Sequence, residues 1–182
     1  TKNLLVFAAL GFSKHLFELG RAAEAEPHMR AAIEGLLANL GQGDARTLLA
    51  QQNLAMLLHV QGRLDECEPL LESILATRRR VFGDTHEGTV QAIANLGALY
   101  VDVEKFDDAI KLLRSALAKH PEDAVLRTNL AVAYAGKGDK DAARKAFDEA
   151  VKATPGDALL LFTYGHWLGT WKDNEGALQK LR

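Results

Sequence analysis

The chain has 182 residues, of which 48% are hydrophobic and 25% charged, so it can bury a core and is not a disordered segment. Its formal net charge of −2 is evenly spread: residues 1–89 carry 9 Lys/Arg against 11 Asp/Glu, and residues 90–182 carry 13 against 13. Neither half offers the basic surface that a phosphate backbone requires, which argues against nucleic acid as a partner. One cysteine, Cys67, excludes an internal disulfide and a multi-cysteine metal site and suits a reducing, cytoplasmic compartment.

Alanine and leucine dominate and β-branched residues are sparse, a helical vocabulary. The apolar stretch Asn3–Leu10 has only Lys2 before it and no small-residue cleavage site after it. It reads as the first helix, not as a leader. No apolar run approaches the roughly 20 residues of a membrane span, so no membrane insertion is expected. Taken in order, apolar periodicity and end signals predict helices over 3–18, 21–40, 46–61, 64–81, 86–102, 105–119, 123–136, 139–152, 157–170 and 173–181. Gly20, Gly62 and Gly138 stand where a helix should end in a left-handed residue. Asp139 reads as an N-cap, and Asp84 with Glu87 as a capping box. The run Arg78-Arg79-Arg80 reads as a solvated helix end.

The helices recur in pairs. At an offset of 34, Leu130-Ala131 falls on Leu96-Gly97, Tyr134 on Tyr100, Ala143 on Ala109, Phe147 on Leu113, Ala150 on Ala116 and Pro155 on Pro121. A further 34 puts Gly165, Ala177 and Leu181 on the same template. Going back, the step becomes 42: Leu54-Ala55, Leu58, Cys67, Leu71 and Ile74 match, and before them Phe12-Ser13, Leu16, Ala25, Met29 and Ala32. Cys67 thus stands in an alanine slot, where a small buried core residue is expected. The units are 6–47, 48–89, 90–123, 124–157 and a partial 158–182.

This pattern resembles the tetratricopeptide (TPR) repeat, and the longer first units resemble those of kinesin light chains. The resemblance covers residue 6 to the end and implies an all-α, right-handed α-solenoid of helix-turn-helix hairpins, a single array that is part of a longer protein. It also implies a scaffold that binds a protein or peptide segment in a concave groove lined by the first helix of each pair. At the groove-facing places stand Leu49, Gln52, Met56 and His59, then Gln91, Ala94, Ala98 and Asp102, then Val125, Thr128 and Val132, then Phe162 and His166. Asn53, Asn95 and Asn129 all occupy the sixth place of their units. Asparagine costs a helix interior roughly half a kcal/mol relative to alanine. By the same resemblance these amides form a ladder that bonds the backbone of an extended peptide, while the apolar neighbours select side chains.

Two other readings stay open: an assembly module, with self-association through the incomplete C-terminal unit that carries Trp167 and Trp171, and a substrate-recruiting arm of a larger enzyme. The six histidines form no His-x-x-x-His pair and Gly136-Lys137-Gly138-Asp139 is a turn inside a repeat, so neither metal, cofactor nor catalytic residues are expected. The lysine, asparagine and arginine set that a C-terminal carboxylate clamp distributes over three units is not reproduced: the fifth places hold Leu10, Gln52, Ala94 and Thr128, and the ninth Lys14, Met56, Ala98 and Val132.

Overall fold

The computed structural model describes residues 2–171, and among them the chain is helical with no strand. The helices are α1 (Lys2–Glu18), α2 (Ala22–Leu40), α3 (Ala45–Val60), α4 (Leu64–Phe82), α5 (Glu87–Asp102), α6 (Phe106–Leu117), α7 (Ala124–Lys137), α8 (Lys140–Ala153) and α9 (Ala158–Thr170). Each end lies within two residues of its expected place. The tenth predicted helix, 173–181, falls outside the described residues. None of these helices is long and apolar enough to cross a membrane.

The described residues form two compact units that divide inside α5, between Ala92 and Ile93. In the first, α1 pairs with α2, α2 packs on α3 and α3 pairs with α4. Small residues set the closeness of each pair. Ser13 on α1 faces Ala25 on α2 and donates its Oγ hydrogen to the Ala25 carbonyl at 2.9 Å. In the next pair the same two slots hold Ala55 and Cys67, and the donor changes sides: the Cys67 thiol donates to the Ala55 carbonyl at 3.2 Å. Both donors are buried, so each needs an acceptor, and each finds the facing backbone. Cys67 is 1% exposed, and burial pushes its thiol up to about 11, which leaves it protonated and inert at neutral pH.

In the second unit α6 packs on α7, α7 pairs with α8 and α8 meets α9. Its core gathers Ala131, Ala143, Phe147, Ala150, Leu160 and Tyr164, with Trp167 and Trp171 packed against the edge. Phe147 and Tyr164 stack at 4.6 Å between ring centroids, and the Tyr164 hydroxyl donates to Asp148 at 3.1 Å. Gly97 stands in the small-residue slot of its pair because an added Cβ would lie 2.8 Å from Leu113 Cδ2.

The turns follow the expected chemistry except at two places. Gly20, Gly62 and Gly138 have φ of 74°, 73° and 88°, the left-handed region that glycine enters freely. The equivalent turn between α5 and α6 holds Glu104 at φ 59°, the one non-glycine residue in that region among those described. A side chain there costs about 1–2 kcal/mol, so Glu104→Gly is expected to raise stability by roughly 1 kcal/mol, once the added freedom of the unfolded glycine is subtracted. A urea melt with unchanged slope checks it, and a lower midpoint rejects it. The second departure is the start of α5. Asp84 accepts from Arg79 Nε at 3.0 Å and lies two residues before the N-cap position, since α5 begins at Glu87. The cap is His86, whose Nδ1 accepts the Gly88 N–H at 3.0 Å while its ring stacks on Phe82. Asp44, Asp123, Asp139 and Asp157 cap α3, α7, α8 and α9 through their carboxylates. The side-chain hydrogen bond from Arg46 holds the Asp44 carboxyl at about 2, so that cap stays ionised well into acid.

Candidate functional site on the exposed helix faces

On α3, residues 49, 52, 53, 56 and 60 recur at helical spacing and share one face. Leu49 is 54% exposed, Met56 50% and Val60 61%, with half-buried Gln52 and Asn53 between them. The helix leaves these three apolar side chains open to solvent while burying Leu48, Leu54, Ala55 and Leu58 on its other side.

Beneath that face lies Arg78 of α4. The expectation of a solvated Arg78-Arg79-Arg80 end holds for Arg79 and Arg80 and fails for Arg78, which is only 7% exposed. Its slot explains the failure. Forty-two residues earlier the same register holds Leu36, 2% exposed, so an arginine has been placed where the repeat wants leucine. Its guanidinium Nη2 donates to Gln52 Oε1 at 3.2 Å. Its Nε is buried without a hydrogen-bond partner, and Nη1 lies over Gly88 in the first turn of α5, where any side chain would collide with it. No carboxylate pairs with Arg78 among the described residues, and desolvation lowers its pKa from the ordinary arginine value. It stays cationic all the same, because guanidinium does not deprotonate at any working pH. A buried cation at the positive end of a helix, with no counter-charge, is costly.

The asparagines are used differently from one another. Asn53 is half-buried and makes no side-chain hydrogen bond among the described residues. Asn129 is also half-buried, and its Nδ2 donates to the Ala94 carbonyl at 3.0 Å, tying α7 to α5. Asn95 is half-buried and has a partner within the structure. At Asn129, then, the helix cost of asparagine is offset at least in part by a strut between helices.

The remaining candidates divide between the units. In the second unit Gln91 has no place, since it belongs with the first, where it is exposed at the start of α5. Ala94 is buried, and Ala98 one turn on is half-buried. Thr128 and Val132 on α7 are half-buried, Val132 packing against the core and Thr128 bonding the Ala124 carbonyl. Val125 is 56% exposed, and on α9 Leu159 is 74% and Phe162 69% exposed. His166 is exposed and meets Trp167 edge-on. Sequence reasoning passed over Arg78 and Leu159, and the signal for the first was the leucine in the matching slot. Among the described residues no three His, Cys, Asp or Glu side chains converge as a metal site.

Two tetratricopeptide repeat models match the chain, one over residues 44–119 and one over 95–158. No curated protein sequence matches it. Among solved structures it is similar to BtubC (BKLC) from P. vanneervenii, with TM-score 0.76 and 21% identity over 84% of this chain and 64% of that one. It is also similar to the putative kinesin light chain of Podosopora anserina with nearly identical TPR-like repeats, with TM-score 0.78 and 17% identity over 100% of this chain and 93% of that one. A third is YrrB, described as a TPR protein with an unusual peptide-binding site, with TM-score 0.58 and 20% identity over 95% of this chain and 81% of that one. The chain spans just under two thirds of BtubC. Identities this low speak for the fold, an all-α solenoid of helical hairpins.

Proposed function

We propose that this chain, which belongs to the tetratricopeptide repeat family, is a protein-interaction scaffold that holds an extended peptide segment of a partner along the exposed face of α3, while α7 and α9 offer exposed faces of their own within the second unit. The observation that carries the reading is the α3 face, where Leu49 and Met56 flank Gln52 and Asn53 above the uncompensated charge of Arg78. A segment that suits it has aliphatic side chains for Leu49 and Met56 and an acidic side chain between them for Arg78. Asn53 offers an amide donor and acceptor to the peptide backbone. Asn95 and Asn129 add whatever hydrogen-bonding capacity their internal bonds leave. Each such bond contributes about 0.5–1.5 kcal/mol, so the backbone contacts give weak, sequence-tolerant affinity and the side chains select. In the second unit, Val125, Leu159 and Phe162 favour further apolar residues in the partner. The reading needs no cofactor or catalytic group, and the buried thiol of Cys67 suits a cytoplasmic setting.

Peptide display against the immobilised chain tests this. Enriched sequences are expected to carry an acidic residue within an aliphatic context. Asn53→Ala/Asn95→Ala/Asn129→Ala, with a far-ultraviolet spectrum showing that it folds, is expected to bind them at least tenfold more weakly. Undiminished binding by that variant removes the amides from the site, and the absence of any enriched class rejects the peptide reading.

A further inference from the structure

The surroundings of Arg78 leave more than a single positive charge unanswered. The side chain is 7% exposed, and of its nitrogens only Nη2 has a hydrogen bond, to Gln52 Oε1 at 3.2 Å. Nε is buried without a partner, and Nη1 lies over the first turn of α5, so close to Gly88 that a Cβ there would collide with it. The positive end of this 16-residue helix adds roughly half an elementary charge to that of the guanidinium. Among the described residues no carboxylate answers them: Glu87, in the same turn, is exposed and forms no ion pair, and Asp84 is held by Arg79. Hydrogen-bond donors are in surplus as well. With its oxygen on Arg78, the Gln52 amide has no partner for its nitrogen among the described residues, and the Thr89 hydroxyl in the first turn of α5 is buried and unpartnered. This open face is not the end of an array, since α2 packs on α3 and α4 pairs with it.

We propose that the acidic group taken beside Arg78 is a phosphorylated side chain of the partner peptide, so that this chain distinguishes the phosphorylated form of its partner from the unmodified one. The proposal rests on the peptide-binding reading above and names the chemistry of one position within it. A phosphoryl group carries about −1.5 to −2 charges at neutral pH and three strong acceptor oxygens. A carboxylate carries a single charge on two oxygens. The guanidinium and the helix end together offer about +1.5 charges, which a carboxylate leaves partly unanswered and a phosphoryl group matches. Arginine suits this ligand better than lysine, because its planar fork presents N–H groups to two oxygens at once. Gln52, already bonded to the guanidinium, supplies a further donor from its amide nitrogen. Phosphoserine also carries its charge farther from the peptide backbone than aspartate does, which fits a cation recessed beneath the α3 face. A nucleic acid presents many phosphates and would need a broad basic surface, whereas the net charge here is −2. One recessed arginine fits one phosphate on a peptide.

Matched peptides test it. A sequence enriched in the display experiment is made with phosphoserine, glutamate or serine at its acidic position, and the affinity of each form for the full chain is measured by fluorescence polarisation. The phosphoserine form is expected to bind at least tenfold more tightly than the glutamate form. Arg78→Leu, with its folding checked by a urea melt, is expected to abolish that difference. Arg80→Gln removes an exposed arginine of the same helix and is expected to keep it. A free anion gives a second readout that needs no peptide. Inorganic phosphate, exchanged for chloride at constant ionic strength, should raise the melting temperature of the wild type more than that of Arg78→Leu. Equal affinity for the phosphoserine and glutamate forms overturns the proposal and leaves the peptide-binding reading standing. A phosphoserine preference that survives in Arg78→Leu, or an equal effect of phosphate on the two proteins, overturns it too. Peptides that bind in none of the three forms reject both the proposal and the reading on which it rests.

Discussion

Arg78→Leu is expected to make the protein more stable and a poorer binder. The guanidinium is 7% exposed, has one hydrogen bond at 3.2 Å and leaves its Nε unpartnered, so the native state carries most of the desolvation cost of a cation with little return. Leucine is the residue that the fold itself places in this slot one unit earlier, as Leu36, so its shape is already compatible with the surrounding hairpin. Removing the charge should raise unfolding free energy by about 1–2 kcal/mol, the low end of what replacing buried ionic groups by apolar ones has given. Truncation is a different experiment: Arg78→Ala also deletes the apolar stem, which packs as hydrocarbon, and so should gain less or lose. Acidic-peptide affinity should fall in both variants by about tenfold or more, since a hydrogen bond to a charged group is worth about 1.5–3 kcal/mol. Urea melts and fluorescence polarisation with an acidic peptide from the display experiment measure the two effects. A stability gain with unchanged affinity would remove Arg78 from the binding site. A stability loss in Arg78→Leu would mean that Gln52 and the α5 turn compensate the charge better than their geometry suggests.

The same residue shows where reading the sequence reached and where it stopped. The hairpins were legible because packing repeats: a small residue at Ser13, Ala55, Gly97 and Ala131 and a large one at Met29, Leu71, Leu113 and Phe147 fix both helices of each pair, whatever lies between. Turn glycines at 20, 62 and 138 were legible for the same reason, and Glu104, in their register, could have been found by the same alignment. Arg78 was misread because three adjacent arginines look like a solvated end, and composition says nothing about which of three consecutive side chains faces inward. Helical spacing does. Caps were read correctly where a carboxylate does the work, as at Asp139, and placed two residues early at α5, where the His86 ring takes the Gly88 N–H. The bond from Asn129 to Ala94 joins residues 35 apart and depends on how α7 lies against α5, which no local pattern encodes.

Phe147→Ala should be the most damaging single truncation among the core positions of the second unit. Phe147 is fully buried on α8, and its ring lies between the alanines of α7 and α8 and the ring of Tyr164 on α9, so it joins two successive hairpins. Its loss removes the transfer free energy of a phenyl group and opens a cavity that rigid helices cannot fully close, costing about 3–5 kcal/mol. Against a total of roughly 5–15 kcal/mol for a domain, that is enough to unfold part of the protein at physiological temperature. In a repeat array each hairpin is stabilised mainly by its neighbours, so the damage should stay local. Amide exchange is expected to accelerate across α8 and α9, while α2 and α3 keep their protection. Phe147→Leu provides the control: the preceding unit fills the same slot with Leu113, at 0% exposure, so leucine should pack there at a much smaller cost, with only the aromatic stack lost. Equal losses for Phe147→Ala and Phe147→Leu would mean that the stack on Tyr164, and not the filled volume, holds α9 to α8. Uniform acceleration of exchange through α2 and α3 would mean that the hairpins unfold as one block.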